Sequence, residues 1–354
     1  MTVLDGAIEA HTFAGDARST DYLDLVVEAL DDTDDEQLAG QMDTLVMMGW
    51  TEMLHGRYDP ALRHLGRGLE LSRRTGQSLV LADLFAASAY AYLWLGRLDE
   101  AATYAEDALE AASLVSSSEP RSLADVVSAV VLMWRGDFAG ALKVCEESLS
   151  LAGPAPGARR SAMVGMLGQT LLLNGDPEGC VSKVLEAGGG PDLLGFEAPV
   201  RPMWFRLLAV AKLALGDVAA AESWADRAAA AVAPDGPPGR RGFALLARAE
   251  VQHARENPAA GATACRAAAE FRAARMPLNE AMARLTAGAA LSASGRQAEA
   301  LAQLEQVKAL SIACGAHALS ELADHEHHRI AVQSPPPTTG NTQDVKFPNS
   351  ASSG

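Results

Sequence analysis

The sequence has few aromatic residues, no closely spaced cysteines and no long hydrophobic run. Phe, Trp and Tyr make up 5% of the 354 residues, whereas hydrophobic residues as a whole make up 49%. Alanine is the most frequent of them, which suits helices in close contact through small side chains better than a sheet core. We therefore expect an all-α protein.

The cysteines give no sign of a metal or redox site. Cys145, Cys180, Cys265 and Cys314 lie far apart and none belongs to a CxxC pair. A zinc knuckle or a dithiol motif needs such spacing. Buried cysteines acting as small hydrophobic residues are the simpler interpretation. We expect neither a metal nor a cofactor.

Charge and hydropathy exclude two further classes of partner. The formal net charge of −16 produces a field that repels phosphate backbones, so we expect no direct binding of nucleic acid. The longest apolar run, near residues 126–134, is far too short to span a membrane. No basic start followed by an apolar stretch marks a signal peptide. We expect a soluble, cytoplasmic protein.

What the sequence does contain is a turn, usually Gly next to a polar residue, that recurs with a period of about 40 residues. The spacing between successive turns is almost constant. Such a period is typical of a solenoid of stacked two-helix units, in which the turn glycine ends one helix and Asp or Pro starts the next. Pro60, Pro177 and Pro258 are accordingly expected in the first turn of a second helix. The turn residues are Gly56, Gly96, Gly136, Gly175, Gly216, Glu256 and Gly295.

Small residues occupy fixed positions around each turn, where we expect the two antiparallel helices of a unit to cross closely. Seven positions before the turn stand Gly49, Ala89, Ala129, Gly168, Ala209, Ala249 and Gly288. Five positions after it stand Ala61, Ala101, Ala141, Cys180, Ala221, Gly261 and Ala300. Twelve positions after it stand Gly68, Ala108, Ser148, Ala187, Ala228, Ala268 and Val307.

This pattern resembles the tetratricopeptide repeat (TPR), although the usual TPR unit has only about 34 residues. Units of the greater length seen here, with an alanine-rich texture, are similar to the repeat region of large LuxR-family regulators of the maltose-activator type. In those regulators an ATPase lies upstream and a helix-turn-helix lies downstream. This chain has no GxxxxGK[ST] loop and neither flanking domain. The resemblance implies an excised sensor region or a stand-alone relative.

The sequence thus predicts a right-handed α-solenoid, or superhelix, of about seven to eight TPR-like helix-turn-helix repeats. Residues 1–35 form a degenerate N-terminal repeat, residues 36–315 the superhelix, residues 316–332 a capping helix and residues 333–354 a disordered tail. Two connections, at 187–199 and 234–239, are longer than the others. They are either lids over a binding groove or tolerated insertions.

The resemblance also indicates which side chains face the groove. In such repeats the first helices line the concave surface, with inward-facing residues thirteen, ten, six, three and two positions before the turn. Carried onto this sequence, those offsets give as candidate ligand-binding residues Asp43, Trp50, Met53, Asp83, Tyr90, Trp94, Val130, Met133, Trp134, Gln169, Met203, Arg206, Glu250 and His253.

A groove wall rich in Trp, Tyr and Met would be an exposed apolar patch, which in a soluble protein normally marks a binding site. Within it, Asp43 and Asp83 suit an amine and Arg206 suits an acid. The competing interpretation is that these aromatic residues fill a tight superhelix interior, as apolar residues at helical spacing usually do.

We therefore predict a module that holds a small-molecule effector or a partner polypeptide, by resemblance the sensor part of a LuxR-family transcriptional regulator. A protein-binding scaffold without a small ligand is the first alternative. An enzyme with Asp83, Glu250 and His253 converging inside the superhelix is the second, although no catalytic motif supports it. Asp324 and His328 share a helix face, but two ligands are too few for a metal site.

Overall fold

The chain folds into an α-solenoid of stacked helix pairs, as the period predicts. A computed structural model describes residues 19–114, 119–152, 157–234 and 236–333. Within these ranges it has seventeen α-helices, one short 3-10 helix and no strand. No helix in the described ranges is long and apolar enough to cross a bilayer.

Seven units carry the repeat, preceded by α1 (Ser19–Asp32) and α2 (Asp35–Ala39). The first helices of units one to seven are α3 (Met42–Leu54), α5 (Leu81–Trp94), α7 (Glu119–Arg135), α9 (Ala158–Leu173), α11 (Arg201–Ala214), α13 (Pro238–Ala254) and α15 (Pro277–Ala293). The second helices are α4 (Tyr58–Thr75), α6 (Leu98–Leu114), α8 (Phe138–Ala152), α10 (Pro177–Gly188), α12 (Val218–Ala230), α14 (Ala260–Ala273) and α16 (Gln297–Cys314). The last helix in the described ranges is α17 (His317–Gln333), and a 3-10 turn spans Ala198–Val200.

The predicted turns are confirmed by their backbone angles. All six turn glycines have positive φ, for example 75° at Gly56 and 74° at Gly295. Glu256, the one turn residue that is not glycine, has φ of 55°. This left-handed conformation ends the first helix of each unit.

The small residues mark the helix crossings, as predicted. Every residue seven positions before a turn and five after it is buried. A Cβ built at Gly49 would lie 2.6 Å from Cδ2 of Leu65, and one at Gly288 would lie 2.9 Å from Cδ2 of Leu304. A larger residue would push the paired helices apart.

One proline differs from the prediction. Pro60 and Pro177 lie in the first turns of α4 and α10, but Pro258 lies two residues before α14 begins. There the side chain of Asn257 accepts a hydrogen bond from the amide of Ala259 at 2.9 Å. An Asx turn therefore opens this helix in place of a proline.

Further helices flank the seven units at both ends of the described solenoid. Asp34, in the acidic run, caps α2 by accepting a hydrogen bond from the Gln37 amide at 2.8 Å. At the other end, α17 contacts α15 and α16. The turn expected for an eighth unit, at residues 15–16, and the tail from residue 334 lie outside the described ranges.

A buried charged pair fixes the N-terminal helices to unit one. His64 and Glu52 are 1% and 0% exposed, and His64 Nδ1 lies 2.8 Å from Glu52 Oε2. His64 Nε2 lies 3.1 Å from Asp31 Oδ1 on α1. Burial opposes protonation of His64, but the hydrogen bonds to Glu52 and Asp31 raise its pKa above the usual value.

The superhelix curls until its first units meet its last ones, at a junction that we call the seam. Arg240 at the start of α13 donates from Nη2 to the carbonyl of Leu54 at 2.8 Å, across 186 positions. Asp59 pairs with Arg275. A Cβ at Gly96 would lie 2.5 Å from Pro277 Cγ. The concave face is therefore largely enclosed within a ring of helices.

Candidate functional site

The enclosed interior is lined by an aromatic cluster built from units one, two and six. The rings of Trp50 and Tyr90 lie 5.3 Å apart, and those of Tyr90 and Trp94 meet edge to face at 5.9 Å. Trp94 in turn meets Phe243 of α13 edge to face at 6.4 Å. These contacts, of the offset and edge type that aromatic rings prefer, join residues that are far apart in the chain.

Three adjoining cavities remain beside this cluster, and Tyr90 and Met203 line all of them. The seam cavity has a volume of about 120 Å³ and is bordered by Trp50, Trp94 and Arg240. The central cavity, of about 70 Å³, lies between α7, α9, α11 and α15. The aromatic cavity, of about 280 Å³, lies between α3, α7, α11 and the connection that precedes α11.

Arg206, which lines the central cavity, already forms an ion pair with Glu250. Arg206 donates from Nε to Oε2 of Glu250 at 3.1 Å and also contacts its second oxygen. Burial raises the pKa of Glu250, and the neighbouring guanidinium opposes that rise. Because Arg206 is neutralised by Glu250, the pair offers less net charge to a ligand than the sequence implied.

The connection before α11 packs inward and contributes to the aromatic cavity. Phe196 is 3% exposed and stacks on Trp204 with ring centroids 4.5 Å apart. Glu197 lines the cavity, and burial raises the pKa of its carboxyl group above the usual value, opposed by nearby Arg201. Trp204 is 3% exposed, and its Nε1 has no hydrogen-bond partner among the described residues.

Among the residues that line the seam cavity, Arg240 is the one that carries a charge. Its lining includes Arg240 and His55, which belong to opposite sides of the seam. Burial, together with the charges of Arg240 and Arg57, lowers the pKa of His55 to about 4. His55 is therefore uncharged at neutral pH.

The structure places nine of the predicted residues at these cavities and five elsewhere. The nine are Trp50, Met53, Tyr90, Trp94, Val130, Trp134, Gln169, Met203 and Arg206. Of the others, Asp43 is exposed, Met133 is 2% exposed within the helical core, and Glu250 lies behind the central cavity as the partner of Arg206. Asp83 and His253 are half-buried and line none of the three cavities.

Sequence reasoning missed several lining residues because they lie outside the inward offsets of the first helices. They are Phe196, Glu197, Val200, Trp204 and Arg240. Phe243, which lines the seam and central cavities, does lie at an inward offset, thirteen positions before Glu256. The signal in the sequence that could have indicated them is the pair of connections that are longer than the others in the repeat. The first supplies Phe196 and Glu197, and the second, with Pro237, leads directly into Arg240.

The described residues contain no group of three or more His, Cys, Asp or Glu side chains placed to hold a metal ion. Asp324, from the cluster on α17, instead forms an ion pair with Lys308 at 2.5 Å. All four cysteines are free thiols, and Cys145 and Cys180 are completely buried.

The sequence matches no protein-family model and no curated protein. Solved structures are similar in fold. The apo form of the quorum sensor NprR from B. thuringiensis is 14% identical, with a TM-score of 0.55 over 86% of this chain and 87% of that one. A Rap protein complexed with Competence and Sporulation Factor is 13% identical, with a TM-score of 0.56 over 94% of this chain and 99% of that one. The chain therefore has the fold of the TPR-like helical solenoids.

Proposed function

We propose that this chain is a binding module that holds a small-molecule effector inside its closed superhelix. The observation that supports this most is the set of three adjoining cavities, which share Tyr90 and Met203 and are walled mainly by apolar side chains. An apolar cavity with a few polar groups is the usual form of a small-ligand site.

The size of the cavities favours a small molecule over a polypeptide. The largest of these three has a volume of about 280 Å³, and the seam lies across the interior. A helix or an extended segment would need the seam to open before it entered. A polypeptide partner remains the second candidate, because the Rap protein of similar fold was solved in complex with Competence and Sporulation Factor.

The seam also provides a way for binding to be sensed. Trp50 and Met203, which border the same cavities, come from units one and five, and Phe243 comes from unit six. A ligand that touches these units together favours the closed ring over any opened form, by as much as its affinities for the two differ. Binding would then change the curvature and the rigidity of the outer surface.

We further propose that the module is the sensor part, or a stand-alone relative, of a LuxR-family transcriptional regulator. The support is the length of the repeat unit, which exceeds that of the usual TPR, together with its columns of small residues. Transcript profiles of a host that carries the substitution Met203→Phe test this link. We expect a defined set of genes to change as they do on deletion of the gene, and an unchanged profile in both strains contradicts it.

The binding function is tested with the small-molecule fraction of a host extract. We expect the extract to change the tryptophan fluorescence of the wild type and to raise its unfolding temperature, since a ligand at about 100 times its Kd stabilises by about 2.7 kcal/mol. Met203→Phe, which narrows all three cavities, should weaken both effects. Leu173→Phe, at an exposed position on α9, is the matched control.

The same experiment can contradict the proposal in two ways. An extract that leaves the fluorescence and the unfolding temperature of the wild type unchanged removes the small-molecule function. An effect that is equally large in Met203→Phe and in Leu173→Phe places the binding site outside the cavities.

A further inference from the structure

The aromatic cavity has a distinct chemical character. Its wall includes the rings of Trp50, Tyr90, Phe196 and Trp204, and Glu197 is the single charged residue among those that line it. Aromatic faces carry a negative electrostatic potential, so the rings and the carboxylate together favour a positive charge.

The carboxylate lacks a cation within the cavity. The basic side chain that acts on it is Arg201, whose Nε donates to the carbonyl of Phe196 at 2.9 Å. Arg201 does not line the cavity, and Glu197 forms no ion pair in the described part of the chain. A carboxylate in an apolar site is unfavourable unless it is protonated or neutralised by a partner.

The indole N–H of Trp204 is a second polar group at this cavity that lacks a hydrogen-bond partner in the described part of the chain. Trp204 is 3% exposed, and its Nε1–H meets no acceptor among the described residues. The opposite edge of the indole, at Cζ3 and Cη2, faces Gly165 on α9, as shown by the 2.7 Å between Cη2 and a Cβ built at that glycine. Buried indole N–H groups normally donate a hydrogen bond, and leaving one unpaired costs stability.

We propose that the aromatic cavity binds an organic primary amine with an apolar body and a hydrogen-bond acceptor. The ammonium group pairs with Glu197, the apolar body contacts Trp50 and Tyr90, and the acceptor accepts a hydrogen bond from Trp204 Nε1–H. This inference rests on the proposed function and gives the chemical class of the effector.

The charge requirement is tested with a matched pair of probes, phenethylamine and 2-phenylethanol, which differ in the charged group alone. We expect isothermal titration to give at least about tenfold tighter binding of the amine, as a cation–π contact combined with a carboxylate implies. The substitution Glu197→Gln, which keeps the shape of the side chain, should abolish that preference. Glu106→Gln, at an exposed position on α6, should retain it.

The acceptor requirement is tested with 4-methoxyphenethylamine and 4-ethylphenethylamine, which have nearly the same shape. We expect the methoxy compound to bind several-fold more tightly, because its oxygen satisfies Trp204 Nε1. In Trp204→Phe this difference should disappear while the preference for amine over alcohol remains. Circular dichroism of each variant shows whether the helical fold is kept.

Three results would overturn the proposal. They are equal binding of amine and alcohol by the wild type, an amine preference that survives Glu197→Gln, and an absence of binding by all four probes. Failure of the proposed function is distinguishable, because the host extract tests it without regard to ligand class. An extract effect that depends on Met203, combined with any of the three results, leaves the binding function intact and removes the amine.

Discussion

Two glycines on α4, separated by one residue, test directly whether the small residues at fixed positions around each turn mark close helix contacts. Gly66 is exposed, and a Cβ built there would meet nothing within 4 Å. Gly68 is buried, and its Cβ would lie 2.7 Å from Cδ2 of Leu84 and 3.4 Å from Cδ1 of Leu45. The two sites therefore share a helix and differ in whether a neighbouring helix lies against them.

The expected free energies follow from that difference. Replacing Gly by Ala inside a helix gains about 1 kcal/mol from backbone entropy, so Gly66→Ala should stabilise by about that amount. Gly68→Ala has the same gain but forces a methyl group against Leu84, which is 0% exposed and has little room to move. Overpacking of this kind costs about 1–3 kcal/mol, so we expect Gly68→Ala to be less stable than Gly66→Ala by about that amount.

The comparison is made by urea unfolding, followed by circular dichroism and by hydrogen exchange. Exchange is needed because a solenoid can unfold in parts, and it reports on α4 and α5 separately. In Gly68→Ala we expect faster hydrogen exchange in both helices than in Gly66→Ala. If Gly68→Ala is as stable as Gly66→Ala, the column twelve positions after the turn is not a close helix contact and the packing argument is wrong.

Three further predictions concern the seam and the buried histidines. Arg240→Met removes the hydrogen bond to the carbonyl of Leu54 and should cost about 1–2 kcal/mol, seen as a larger radius of gyration and faster exchange at the seam. The pKa of His55 is lowered to about 4, so below pH 6.5 this histidine is protonated in the unfolded chain but not in the folded chain. The free energy of unfolding should therefore fall between pH 6.5 and 4, by about 1–2 kcal/mol after screening. His55→Gln should flatten this slope. The pKa of His64 is raised, so its protonated form stabilises the folded chain at low pH and this stabilisation is lost as the pH rises through the pKa of folded His64. Glu52→Gln should therefore cost about 1–3 kcal/mol of stability below pH 6.5 and less at higher pH.

Exposed residues supply the matched controls for these variants. Arg266→Met removes a guanidinium from the surface of α14, and we expect the radius of gyration to stay unchanged. His317→Gln removes an exposed imidazole at the start of α17 and is the matched histidine variant. A seam variant or a histidine variant that behaves like its control contradicts the corresponding prediction.

The fold could be predicted because its determinants are local and repeat. A left-handed turn residue needs Gly or a tolerated substitute, and a close helix crossing needs a small side chain, so both leave a mark in every unit. Glu256 shows that the phase survives even where the glycine is lost, since its φ is also positive, at 55° compared with 76° at Gly216. Ala221, five positions after the turn at Gly216, is completely buried.

The site could be predicted only in part, because it depends on how far the solenoid curls. Trp50, Tyr90 and Met203, which the inward offsets selected, line one cavity, and their role as ligand contacts stays a prediction. The offsets could not show that Leu54 meets Arg240, because that contact is the sum of small rotations over five units. The interpretation of the aromatic residues as a binding surface and their interpretation as interior packing are compatible, since these rings contact one another and still border cavities.

Glu197 and Phe196 show a different limit of sequence reasoning. Their connection has no helical period, so nothing in the spacing indicates which of its side chains turn inward. Only the packing of Phe196 on Trp204 brings Glu197 to the aromatic cavity.

The central claim is that the enclosed interior holds a small effector, and native mass spectrometry of protein purified from its own host tests it most directly. We predict that the wild type and Leu173→Phe carry one additional small mass that is released on collisional activation. Met203→Phe should carry much less of it. A wild-type mass equal to that of the polypeptide alone, or an additional mass retained fully by Met203→Phe, would contradict the account.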